Sequence, residues 1–346
     1  MRGATLLFLD KCLLIRRGPV LRGVELFNLG LLADLTAREL VLTVPAHRSW
    51  HALLAGRLPG VRLIPVPGLP WPLLSALWLI WGLRRQRHQV LLIGNCARDL
   101  IPTVWWLARG GVAGRRLLMV HRWPSRRVLR AWRHSLDGVV AVNGIIAGQF
   151  RQHGYRRVDH YFGETRAARF FPAERGEAPT VSFCVLGALH TAVKAPETAV
   201  AAFQQLPGAL RARCRLHLVG YHGTLPAFGP GILSHRWQDE AAVPALLREM
   251  DVLVVPSRQE TFSLAMVQGM LSGLPVLARD IPVLAEKLDE GGGWVFADEA
   301  ELAEQMARLA GDPALRRRLG ATARRTALAR YCWDTDVFLR RFVFSP

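Results

Sequence analysis

Lysine is nearly missing from this chain: three lysines stand against 42 arginines. Cysteine is sparse as well. The five cysteines, Cys12, Cys96, Cys184, Cys214 and Cys332, are scattered and form no C-x-x-C pair. That spacing argues against a structural zinc site or a disulfide framework and points to a reducing compartment. No stretch reaches about 18 uninterrupted apolar residues, so no membrane-spanning helix is expected. The N-terminal MRGATLLFLDKCLLIRRG carries an apolar run without a small-residue cleavage site. Asp10 and Lys11 interrupt that run, and a first β-strand is the better reading. His47 and His51 have the i, i+4 spacing of a metal pair, but no third ligand and no H-E-x-x-H accompany them, which leaves them as loop histidines.

What is present describes a folded chain of more than one domain. Its 346 residues exceed the usual single-core size. Hydrophobic residues make up 51% and charged residues 21%, a balance that excludes disorder. The net charge of +18 is unevenly placed. Residues 1–171 hold 25 Arg and one Lys against 8 acidic residues, whereas residues 172–346 are neutral, with 19 of each sign. An arginine-rich genome accounts for Arg over Lys but not for that asymmetry. A nucleic-acid binder would show a basic helix or aromatic RNA-binding signatures, and neither is found. The basic half therefore suits an anionic membrane or an anionic glycolipid.

The most informative stretch runs from Asp251 to Asp280, DVLVVPSRQETFSLAMVQGMLSGLPVLARD. Val252 to Val255 reads as a buried strand, ended by Pro256 and Ser257. A polar loop, Arg258-Gln259-Glu260, follows. The helix after it carries Phe262, Ala265, Met266, Gly269 and Met270 at helical spacing, and Gly273 closes it. Pro275 to Ala278 opens the next strand. Polar residues thus fall where open α/β sheets bind ligands. With Glu260 in the loop, Gln268 is expected about two turns into the helix, so that a carboxylate and an amide reach different parts of one long ligand.

On these residues the chain resembles the retaining nucleotide-sugar glycosyltransferases of the GT-B fold, family 4 (glycosyl transferases group 1). Pro256, Ser257, Glu260, Phe262, Met270, Gly273, Pro275 and Val276 stand where that family's signature has them. Ser263 replaces the usual Gly, and Gln268 the second Glu. The resemblance implies an α/β protein of two Rossmann-like domains facing each other across a cleft. Residues 1–171 would form the basic, acceptor-binding domain and 172–179 a polar linker. Residues 180–331 would form the nucleotide-sugar domain, and 332–346 a helix crossing back to the first domain.

It also implies roles. Gly187 ends the first strand of the second domain, and Lys194 would bind the donor diphosphate. The arginine that usually accompanies that lysine is absent, its place taken by Ala188. Glu260 would orient the donor sugar, and Gln268 would meet the ribose with one acceptor oxygen where a carboxylate has two. The backbone N–H groups of Phe262, Ser263 and Leu264 would receive phosphate at a helix N-terminus. No D-x-D pair stands beside a suitable strand end, so the expected chemistry uses neither metal nor cofactor beyond a UDP- or GDP-linked sugar. Arg22 and Gly23, remnants of a glycine-rich loop, would lie on the acceptor side with Asn95 and His121. His121 is the candidate catalytic residue beside Glu260. Tyr221-His222-Gly223 falls at the nucleobase side.

Two further readings stay open. Leu73 to Arg87 (LLSALWLIWGLRRQR) reads as a core helix, or as an interfacial one with Trp78 and Trp81 beside Arg84, Arg85 and Arg87. The expected function is a retaining transfer of sugar to a cell-envelope glycolipid or polysaccharide such as lipopolysaccharide. The enzyme would be cytoplasmic or peripheral on the inner face of the membrane, with no nucleic-acid partner. The alternative is a catalytically weakened relative acting as a binding or scaffold subunit, which Ala188 and Gln268 favour.

Overall fold

The computed structural model describes residues 3–14, 23–67, 72–95, 97, 100–174 and 179–344. The chain divides into two compact units, Met1–Thr165 with Asp334–Pro346, and Arg166–Trp333. Residues 175–178, half of the expected linker, lie outside the described residues.

The first unit is built on a seven-stranded parallel sheet: β1 (Thr5–Leu9), β2 (Val41–His47), β3 (Arg62–Val66), β4 (His88–Ile93), β5 (Ala113–Val120), β6 (Gly138–Ala141) and β7 (Val158–His160). The order is β3-β2-β1-β4-β5-β6-β7. Leu6, Leu7, Phe8 and Leu9 of β1 are all at most 1% exposed, which is why this strand reads as a continuous apolar run without alternation. In register it places Leu7 opposite Leu91 of β4. The last residues of the chain are held within this unit. Arg38 Nε donates to Asp336 at 2.6 Å, Thr335 Oγ1 donates to Asp34 at 2.8 Å, and Tyr161 Oη donates to the Asp334 carbonyl at 3.1 Å.

The second unit carries a six-stranded parallel sheet: β8 (Val181–Leu186), β9 (Cys214–Tyr221), β10 (Ile232–Arg236), β11 (Val252–Val255), β12 (Val276–Arg279) and β13 (Gly293–Phe296). Its order, β10-β9-β8-β11-β12-β13, reverses direction between β8 and β11. A crevice opens at the carboxyl ends of strands where winding reverses, and that is where such sheets bind ligands. Every residue of β11 is at most 5% exposed. Burial of each such side chain contributes about 1.5–3 kcal/mol, so the strand that carries the polar loop is firmly anchored.

Several local expectations are corrected. The apolar helix ends at Leu83, so Arg84, Arg85 and Arg87 lie beyond it, in the turn leading into β4. The second strand continues to His47. His47 then caps the helix Arg48–Arg57, accepting from the Ser49 N–H at 3.1 Å, and His51 Nε2 lies 3.1 Å from the Ala46 carbonyl. The histidine pair is thus used in local capping and turn contacts.

The two glycines at the crevice of the second sheet touch backbone to backbone. A Cβ on Gly220 would stand 1.6 Å from the Gly187 carbonyl oxygen, and Gly220 has φ +131°. Gly220→Ala is expected to cost about 3 kcal/mol or more, since the neighbouring backbone must move. Urea unfolding of the variant measures this.

Candidate functional site

In the second unit, β8 and β11 flank the reversal point, and the segments leaving their carboxyl ends meet. After β8 the chain passes Gly187 and forms a 3-10 turn, Ala192–Lys194. After β11 it forms the loop to Glu260. Lys194 Nζ donates to Glu260 Oε1 at 2.5 Å, with side-chain exposures of 23% and 10%. Both side chains are therefore largely screened from water. Arg258, a residue of the polar loop, joins the two segments. Its N–H donates to the Val193 carbonyl at 2.8 Å, and its guanidinium pairs with Glu197 at 2.8 Å. Arg279 braces the start of the same loop, donating to the Pro256 carbonyl at 2.9 Å and to Thr198 Oγ1 at 3.0 Å.

Left-handed backbone marks both sides of the ion pair. Among the described residues, three that are not glycine have positive φ: Glu39, Ala195 and Ser263. Ala195, at +45°, follows Lys194 and precedes the helix Pro196–Gln204. Ser263, at +67°, precedes the helix Leu264–Leu271. Side chains in this region strain the chain by about 1–2 kcal/mol each. Strain of this kind persists where the surroundings fix the conformation, as in binding sites. The Ser263 hydroxyl is also buried without a hydrogen-bond partner among the described residues.

The helix begins at Leu264, later than the sequence suggested, so Gln268 stands just over one turn into it rather than two. The left-handed Ser263 delays the start. Gln268 is half-buried, and its carbonyl accepts from the Ser272 N–H at 3.0 Å. Phe262 is 5% exposed, and beneath it lies an unexpected residue, Lys287, which is fully buried. The Lys287 Nζ sits 4.6 Å from the Phe262 ring centroid and 5.0 Å from that of Tyr331, and donates to the Val283 carbonyl at 3.0 Å. Burial lowers its pKa to about 8, opposed by Glu286 and Glu260. On the other side of the crevice His222 stacks on Trp237 with centroids 5.3 Å apart, and His190 meets His222 edge-on at 4.9 Å.

The remaining candidates belong to the first unit. Arg22 lies outside the described residues, and Gly23 opens the helix Gly23–Thr36. Asn95 is buried just after β4. His121 follows β5 and is only 3% exposed, its ring between Phe27 at 5.3 Å and Phe162 at 5.2 Å. Burial, with Arg122 nearby, lowers its pKa to about 3, so the imidazole is neutral at ordinary pH. A buried carboxylate missed in the sequence lies at the end of β1. Asp10 accepts from Asn28 Nδ2 at 2.5 Å and from the Cys12 N–H at 2.7 Å. Burial raises its pKa, and Glu25 adds to the rise. The only signal for it was the carboxylate interrupting an apolar run.

The part of the chain that holds the Lys194–Glu260 pair has known relatives. Residues 180–312 match the family described as glycosyl transferases group 1. A D-inositol 3-phosphate glycosyltransferase of Streptomyces bingchenggensis is 34% identical over 100 residues, 28% of this chain and 21% of that protein. The curated relatives are matched over only 17% to 32% of their own length. Whole-chain similarity is structural. Sucrose-phosphate synthase of Thermosynechococcus elongatus superposes with a TM-score of 0.75 at 17% identity, covering 99% of this chain and all of that one. Anabaena HepE in complex with UDP-glucose gives 0.74 at 14% identity, covering 98% of each chain. These likenesses establish the fold: two parallel-sheet α/β units of the GT-B type.

Two outcomes follow from the group 1 segment's geometry. Ser263→Gly, which relieves the left-handed strain and removes a buried hydroxyl, should stabilise the protein by about 1 kcal/mol in urea unfolding. Lys287 has a folded-state pKa below its unfolded value, so the unfolded chain holds the extra proton between about pH 8 and 10.5. Its contribution to stability therefore rises with pH through that window. Lys287→Met should remove that rise in a pH series of thermal unfolding curves.

Proposed function

We propose that the chain is a glycosyltransferase, moving a sugar from a nucleoside diphosphate donor to an anionic glycolipid or polysaccharide of the cell envelope. The reading includes retention at the anomeric carbon, no metal ion, and a cytoplasmic setting with peripheral contact to an anionic membrane. Its acceptors exclude nucleic acid. The observation that carries it is the Lys194–Glu260 ion pair at the reversal point of the second sheet, inside the group 1 segment.

Transfer of a sugar leaves a nucleoside diphosphate, and the developing charge needs fixed positive groups. Lys194 supplies an ammonium, and the N–H groups of Phe262, Ser263 and Leu264 at the start of the helix supply backbone donors. Glu260, held in place by Lys194 and by the stitching of Arg258, accepts hydrogen bonds from the sugar hydroxyls and fixes the anomeric carbon toward the acceptor. Gln268 takes the ribose. The His222–Trp237 stack offers an aromatic face to the base. UDP- or GDP-linked sugars are the expected donors, and the UDP-glucose bound to HepE favours UDP. On the acceptor side Arg22, Gly23 and Asn95 bind, and His121 takes part as a neutral imidazole once the acceptor is in place.

Ala188 and Gln268, which stand where a donor-binding Arg and Glu are usual, support a second reading, a scaffold subunit with a weakened site. Calorimetry with UDP-, GDP-, ADP- and dTDP-glucose separates the two. One donor is expected to bind, and Lys194→Ala to weaken it about fiftyfold, the worth of a charge-assisted hydrogen bond. Absence of binding for every donor would overturn the transferase and leave the scaffold.

A further inference from the structure

The helices Pro72–Leu83 and Ile101–Arg109 lead into neighbouring strands, β4 and β5, and pack on each other. Their inner faces are ordinary core: Leu79, Leu83, Val104 and Leu107 are at most 1% exposed. The outer faces are not an ordinary surface. Leu77 is 56% exposed, Trp81 64%, Trp105 40% and Trp106 53%. These include every exposed tryptophan among the described residues, gathered on two adjacent helices. The first helix, PLLSALWLIWGL, has no charged side chain on any face, although it lies at the surface. A surface helix of a water-soluble domain carries charge on its outer face. Exposed apolar groups clustered in this way mark a contact with something else.

The rim identifies the partner. Arg84 lies 4.4 Å over the Trp81 ring and Arg109 4.3 Å over the Trp105 ring. Arg85 and Arg87 are exposed beside them, and Arg87 Nη1 donates to the Gly110 carbonyl at 3.2 Å, tying the two helix ends together. Residues 40–136 hold fifteen arginines and a single acidic residue, Asp99. An uncharged helix face with Trp at its margin and Arg beyond it matches the layering of a bilayer, in which acyl chains give way to headgroups and phosphates. Arg side chains can keep their stems on the apolar layer and their guanidinium groups at the phosphates. A nucleic acid would need polar groups where this helix presents Leu, Ile and Trp.

We infer that the outer face of these two helices docks on an anionic lipid bilayer. Leu77, Trp81, Trp105 and Trp106 enter the headgroup boundary, and Arg84, Arg85, Arg87 and Arg109 meet the lipid phosphates. This deepens the acceptor half of the proposed function by giving the membrane contact its surface, and it does not depend on which donor binds.

The test is co-sedimentation of the full chain with phosphatidylcholine vesicles and with equimolar phosphatidylcholine–phosphatidylglycerol vesicles, at low and high salt. Binding is expected to the anionic vesicles, with a blue shift of tryptophan emission, and to weaken as salt screens the phosphates. Trp81→Ala/Trp106→Ala should lower vesicle affinity about tenfold while circular dichroism and donor titration stay as in the parent. Arg84→Ala/Arg85→Ala should abolish the preference for anionic over neutral vesicles. Equal binding by parent and tryptophan variant would overturn the inference, as would no binding by either. So would a parent dimer that the tryptophan variant turns to monomer without changed vesicle binding, since the face would then join two copies. Donor titration of the same proteins reads the proposed transferase separately, so failure of one leaves the other standing.

Discussion

The ion pair between Lys194 and Glu260 depends on two chain segments being brought together at one point of a sheet. It requires β8 and β11 to be neighbours although they are separated in sequence by β9 and β10, and it requires winding to reverse between them. The backbone strain at Ala195 and Ser263 and the bonds from Arg258 to the 192–194 turn lie where those segments meet. Breaking such a pair by removing one partner leaves a partly desolvated charge without its counter-ion. The same arrangement keeps both groups from collapsing onto other neighbours before a ligand arrives, so that little reorganisation remains for binding.

Much of this was legible in the sequence because the governing signals are local. A β-branched run, a proline stop, a polar loop and an apolar helix within thirty residues specify a strand–loop–helix unit, and Glu260 falls in its loop. Lys194 was placed by the resemblance, with the rarity of lysine in this chain as added support. What could not be read was set by conformation or by distant packing. A serine by itself does not signal a positive φ, and the one hint was that Ser263 stands where the family signature has Gly; the left-handed residue delays the helix to Leu264. Nothing in the sequence around Lys287 signals burial, yet it lies fully buried against Phe262 and Tyr331. Arg258 looked like a solvated loop residue, and its partners lie more than sixty positions away.

The first unit shows the opposite balance. Its central strand β1 reads as an apolar run because it is buried on both faces, whereas β3 and β7 stay partly exposed. Its polar residues were harder to read, because the loops that carry them are short and their meaning lies in burial. His121, the candidate on the acceptor side, proves to be enclosed by two phenylalanines; Asp10 reads as an interruption and proves to be a buried carboxylate bonded to Asn28. The excess positive charge of this unit is concentrated on residues 40–136, where it borders the exposed tryptophans. The second unit is close to neutral, and it holds the Lys194–Glu260 and Arg258–Glu197 pairs. One unit thus presents charge to a surface and the other uses charge to hold a site.

The account assigns Lys194 to the diphosphate and Glu260 to the sugar, and the most direct measurement compares two ligands on two variants. Titrations of the preferred nucleoside diphosphate, with and without its sugar, are run on Lys194→Ala and Glu260→Gln. Lys194→Ala is predicted to weaken both ligands alike. Glu260→Gln is predicted to weaken only the sugar-bearing one. Equal loss of both ligands in Glu260→Gln, or a full affinity for both in Lys194→Ala, would contradict the assignment.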